Sequence, residues 1–173
     1  MTTPLLGDPA SMSALGASLR RAAVHLRADG EDLSSALAEA SPGWRGPRSV
    51  QLRRRTSTTA AQTTAVAGAL DAVGQSLQTA ATDLSTTIAR LRELEDAAAA
   101  LGLEVREGAV TKGWGITGVA DAATLRDEDD RRARLQERVH QTVTTLGRHR
   151  ARLATDLARG QELLARACDE LRG

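Results

Sequence analysis

Three histidines, one cysteine and a scatter of carboxylates are the side chains in this chain that could ligate a metal, move a proton or attack a carbonyl. Each of those reactions needs the groups at a workable spacing. His140 and His149 lie nine residues apart, His25 is distant from both, and Cys168 has no histidine beside it in sequence. No Cys/His set at ligand spacing results, so no metal site is expected. A single cysteine excludes an intramolecular disulfide, and Cys168 reads as a small apolar residue near a helix seam. Gly113-Trp114-Gly115 lacks a clear preceding strand and the further glycines of a phosphate-cradling loop, so no cofactor is expected. The carboxylates are distributed like ordinary helix-surface charge. No residue is therefore assigned a catalytic role, and the chain is expected to be a non-enzyme.

The remaining chemistry is that of contact. Trp44 and Trp114 are the only aromatic residues. Trp114 sits among glycines, either buried with Ile116 and Val119 or exposed as an interface anchor. Arg45, Arg48, Arg53, Arg54 and Arg55 form a basic cluster, with no acid between Glu39 and Asp71. Such a cluster is a solvated helix face or a dock for an acidic partner, a lipid surface or nucleic acid. Nucleic acid is disfavoured, because no aromatic interleaves with the arginines and the net charge of the 173-residue chain is only +1.

The elements that must position these residues are helical. Asp8 caps a first helix with Pro9 at its first position, and Ser41-Pro42-Gly43 ends it. Met12, Leu15, Leu19, Ala22, Leu26, Leu33, Ala36 and Ala40 form its stripe. Asp29 interrupts that stripe beside Gly30, which predicts a local bend or an exposed edge. Pro47 opens a second helix. Its seam runs Leu52, Thr56, Thr59, Thr63, Val66, Leu70, Val73, Leu77, Ala80, Leu84, Thr87, Leu91, Leu94, Ala98 and Leu101. That four-three rhythm is sustained well beyond what a coiled-coil-like seam requires. Gly102 supplies the C-cap.

Residues 102–120 carry five glycines and read as a glycine-rich loop, with a short hairpin turn at Arg106-Glu107-Gly108-Ala109 between Val105 and Val110. A third helix starts at Asp121. It buries Leu125, Leu135, Val139, Thr142, Leu146, Leu153, Leu157, Leu164, Ala167 and Leu171, and continues through Gly147 and Gly160. The expected fold is all-α: an elongated antiparallel three-helix bundle, with the glycine-rich loop before the third long helix. A first helix of about 33 residues against a second of about 55 leaves a tip with only two helices. Two helices enclose little apolar surface, so Leu84, Leu91, Leu94 and Leu101 are expected to meet another chain. No segment reaches the roughly 18 unbroken apolar residues of a membrane span. Met1 to Gly7 has neither the basic start nor the apolar run of a cleaved signal peptide.

Trp44-Arg45-Gly46, placed about 40 residues in between two amphipathic helices, resembles the Trp-x-Gly motif of the WXG100 family. Those proteins are small helical hairpins tied to type VII secretion in Gram-positive bacteria. Gly7-Asp8-Pro9 before a Leu/Ala/Arg helix looks like the actinobacterial members. The resemblance covers residues 8–101, with 102–120 as the loop and 121–173 as a third helix packed on the hairpin. It implies a secreted substrate, or a partner or chaperone, acting by helix–helix packing as a homo- or heterodimer. It further implies a cytoplasmic chain exported without a cleaved signal. The family's Tyr-x-x-x-Asp/Glu export signal is absent, since the chain has no tyrosine; Leu91 and Glu95 merely share its spacing. The alternative from the residues alone is an intracellular coiled-coil adaptor or scaffold. The physical roles of the motif are a tight reversal at Gly46 and a ring at Trp44 that plugs the open end of the hairpin.

Overall fold

Asp8 starts the first helix as the sequence requires. Its carboxylate accepts the N–H groups of Ala10 and Ser11 at 3.1 and 3.0 Å, and also the Ser11 hydroxyl. These bonds, the Ser11 hydroxyl's foremost, hold the Asp8 carboxyl below its ordinary range. From that cap α1 runs Pro9–Ala40 and ends in a 3-10 turn, Ser41–Gly43. Helix α2 covers Pro47–Ala100, strands β1 and β2 are Leu103–Arg106 and Ala109–Lys112, and α3 is Ala122–Arg172. The computed structural model describes residues 7–43, 45–113 and 122–172. Among them the chain is all-α with one small two-stranded sheet. The expected cap Asp121 lies outside the described residues.

The described residues group into two compact units, 8–81 with 152–172 and, separately, 82–151. In the first, α1 and α2 run antiparallel and unusually close. A Cβ built on Gly16 would stand 2.6 Å from the Gly74 carbonyl oxygen, and one on Gly74 would stand 2.7 Å from that of Gly16. Gly30 approaches Ala60, and the common seven-residue step sets Ala23 opposite Ala67, both essentially fully buried. Arg20 seals the flank, with Nε 3.0 Å from Asp71 Oδ1 and Nη1 donating to Gln78 Oε1 at 3.1 Å. Helix α3 meets α2 in the opposite sense. Val73 packs into the space left by the missing side chain of Gly160, Ser76 donates to Asp156, and Gln62 donates to Glu170.

This geometry corrects the expected stripes. On α1 the buried residues are Gly16, Ala23 and Gly30, while Leu15, Ala22, Leu33 and Ala36 are exposed. On α2 the buried row is Ala60, Ala67, Gly74 and Ala81, one residue beyond the expected Thr59, Val66, Val73 and Ala80. The reason is distance: helices drawn this close accept only hydrogen or methyl at the contact, and larger side chains are pushed to its flanks. α1 continues unbroken through Gly30, and Asp29 beside it is exposed, in line with the expected exposed edge. Leu77 of the expected seam is buried, and from Leu84 onward the seam holds as far as Ala98, but Leu52 and Leu101 at its two ends are exposed.

In the second unit, residues 103–112 are not an open loop. They form an antiparallel hairpin in which Leu103 faces Lys112 and Arg106 faces Ala109. Glu107 and Gly108 both take positive φ, +51° and +82°, the conformation of a two-residue type I′ turn. Val110 from this hairpin closes a core with Leu94 and Ala98 of α2 and Leu135 and Val139 of α3, flanked by Ala97, Leu103 and Val105. The rest of the α3 stripe is buried or half-buried as expected, except Leu125, which is exposed. The side chain of Leu171 is outside those described.

Candidate functional site

The chain reversal between α1 and α2 holds the turn motif. Gly46 has φ +117°, which a side-chain-bearing residue rarely adopts, and its carbonyl accepts the N–H groups of Ser49 and Val50 and the Ser49 hydroxyl. These bonds start α2. Arg45 beside it is exposed, and Trp44 lies outside the described residues. The basic cluster follows immediately. Arg48, Arg54 and Arg55 are exposed, while Arg53 is half-buried and donates to the Ser49 carbonyl at 3.3 Å and its hydroxyl at 3.4 Å. Among the described residues none of Arg45, Arg48, Arg53, Arg54 and Arg55 has an acidic partner within ion-pair distance.

The four leucines expected to face a partner divide. Leu94 is 0 % exposed and Leu84 is 6 % exposed, so both are already covered by their own chain. The expectation that they stand open is corrected, and for Leu94 the reason is that the β-hairpin adds Val110 to the cover given by Leu135 and Val139 of α3. Leu91 is half-buried and only Leu101, at 45 %, is open. Trp114, the other expected contact, lies outside the described residues, as do Ile116 and Val119. A half-enclosed cavity of about 350 Å³ adjoins Leu101, lined also by Leu103, Lys112, Leu125 and Glu128.

Two polar arrangements were not legible beforehand. Gln136 of α3 brackets the outer edge of β2: its Oε1 accepts the Val110 N–H at 2.7 Å and its Nε2 donates to the Gly108 carbonyl at 2.9 Å. A glutamine inside a helix carries no sequence signal for such a role. His149 on α3 sets Nδ1 3.5 Å from Asp83 Oδ2 on α2, and that nitrogen is buried without a hydrogen-bond partner. The pair borders a polar groove of about 340 Å³. Its threonines, Thr86, Thr87, Thr142 and Thr145, each donate to the carbonyl four residues earlier at 2.8–3.0 Å. Their hydroxyls are thus bonded to their own helices. Among the described residues no three His, Cys, Asp or Glu side chains converge on a metal position, and Cys168 is exposed. No described helix is long and apolar enough to cross a membrane. No protein-family model, curated protein or solved structure matches the chain.

Proposed function

We propose that this chain is a WXG100-like protein of a type VII secretion system, working by helix packing as a secreted substrate or as a partner that accompanies one. The reading takes residues 8–101 as the WXG-type hairpin, with a third helix packed against it in an antiparallel three-helix bundle. It involves no catalytic step, cofactor or metal. The chain is cytoplasmic before export, and its partner is a WXG100-like protein or a second copy.

The observation that carries the reading is the reversal itself. Trp44-Arg45-Gly46 falls between two long antiparallel helices, with Gly46 at a φ of +117° on the step into α2. The seven-residue row of glycine and alanine draws those helices into a close hairpin, leaving Val66 and Leu70 half-buried. Half-covered apolar side chains on a rigid hairpin suit helix–helix association.

The test is co-expression with a candidate small WXG-type partner, sought among the neighbouring genes, followed by light scattering on the purified material. A stable complex that appears outside the cell only when the secretion ATPase is intact supports the reading. A chain that neither pairs with that protein nor leaves the cell through the ATPase overturns it. Trp44→Ala should weaken the complex or lower the melting temperature; if neither changes, the motif plays no part.

A further inference from the structure

The two edges of the β-hairpin differ. Backbone groups of a strand alternate sides, so those not used between β1 and β2 point outward. The Gly113 N–H donates to the Gly102 carbonyl at 2.9 Å, and the Thr111 hydroxyl reaches the Glu104 carbonyl at 3.4 Å. Gly102, Glu104 and Arg106 therefore turn their backbone groups toward β2, and Leu103 and Val105 turn theirs away. On β2 the outward Val110 N–H is occupied by Gln136. On β1 the outward N–H and C=O of Val105 have no partner among the described residues. One edge is covered by α3 and the other is a free template for a strand.

The side chains say which strand fits. Leu103 and Val105 face the core, while Glu104 and Arg106 share the outer face, 2.9 Å apart, with side chains 44 % and 71 % exposed. An antiparallel copy of the same strand can pair with Val105 opposite Val105 or displaced by two residues. The first register sets Glu104 opposite Arg106 of the second copy, twice by symmetry. The displaced register sets Glu104 against Glu104, which is repulsive. The edge is therefore complementary to itself in one register. Leu101, just before β1 and 45 % exposed, extends the surface with an apolar residue.

We propose that β1 is a self-association edge: two copies of this chain join β1 to β1, antiparallel about Val105, in a continuous four-stranded sheet. This surface is separate from the helix faces invoked for the WXG-type partner. Four residues a side place it among small, transient interfaces, with a dissociation constant of roughly 10–100 µM.

Sedimentation equilibrium from about 1 µM to 1 mM spans that range. The full chain should pass from monomer to dimer, and amide exchange at Val105 should slow with concentration while exchange at Val110 stays constant. Val105→Pro removes the outward N–H, which edge strands tolerate, together with a side chain at the margin of the core, and should abolish the dimer while leaving helicity intact. Glu104→Arg should weaken the dimer about tenfold by opposing like charges, and adding Arg106→Glu should restore it. That rescue also answers the case in which the proline variant misfolds. A chain that stays monomeric overturns the proposal, as does a Val105 amide protected equally at every concentration. A dimer that survives both Val105→Pro and Glu104→Arg also overturns it, because association would then run through the helices.

Discussion

The hairpin of α1 and α2 around Gly16, Ala23 and Gly30 is built from almost no side chain, whereas the region around Leu94 and Val139 is built from ordinary leucine and valine packing. Both are helix contacts in one chain of similar composition throughout. In the first, stability comes from two backbones held close enough that a carbonyl oxygen occupies the place of a Cβ. In the second, leucine and valine side chains of α2 and α3 fill the contact, and a β-hairpin adds Val110 to it. The first contact is therefore intolerant of added atoms and the second of removed ones.

Leu94→Ala tests the second contact and should have the largest effect. A fully buried leucine in a closed core should cost about 3 kcal/mol on truncation, read from urea unfolding. A loss below about 1 kcal/mol would show a core that collapses around the gap, and the contrast would weaken. Gly16→Ala tests the first. Its Cβ meets the Gly74 carbonyl at 2.6 Å, so the helices must separate, at about 1–3 kcal/mol. Gly30→Ala is the matched control. There the nearest atoms stand at 3.5 Å, so the better helix propensity of alanine should prevail and add about 0.5–1 kcal/mol. If both alanines stabilise, the close approach is not a constraint.

Smaller effects sharpen the same comparison at the ends of elements. Glu107 occupies a left-handed position that asparagine fills more readily, so Glu107→Asn should raise stability by about 0.5–1 kcal/mol and leave the α1–α2 hairpin unchanged. The Asp8 cap should act on the α1 end alone. Its folded-state pKa lies below the unfolded value of 3.8, so its contribution is present above that value and fades as pH falls through the folded pKa. Protection of the Ala10 and Ser11 amides, relative to unfolded chain at the same pH, should fall as pH drops below 3.8, and Asp8→Asn, still a cap, should remove that dependence.

Much of this was legible in the residues. Asp8-Pro9, Pro47 and Gly102 mark helix ends through local rules of capping and allowed φ, and each acts where those rules put it. The Glu107-Gly108 turn was legible for the same reason. Of the candidate site residues, Gly46 takes the left-handed conformation that its place in the reversal predicts, because turn geometry is short-range. Leu94 is covered rather than open, since its cover comes from a hairpin and from α3, both apart from it in sequence. Gln136 was invisible, because a glutamine on a helix reveals nothing about which backbone it will meet.

The sequence by itself determined that this chain is helical and where α1 and α2 begin and end, and it allowed a short turn at 106–109. These follow from periodicity, capping and glycine conformation, which act within a few residues. Only the tertiary structure decided which of two adjacent rows on α1 and α2 is buried. The apolar pattern permits either, and the choice depends on how closely two backbones approach, a distance that glycine at 16 and 74 makes available and that only their meeting across the chain enforces.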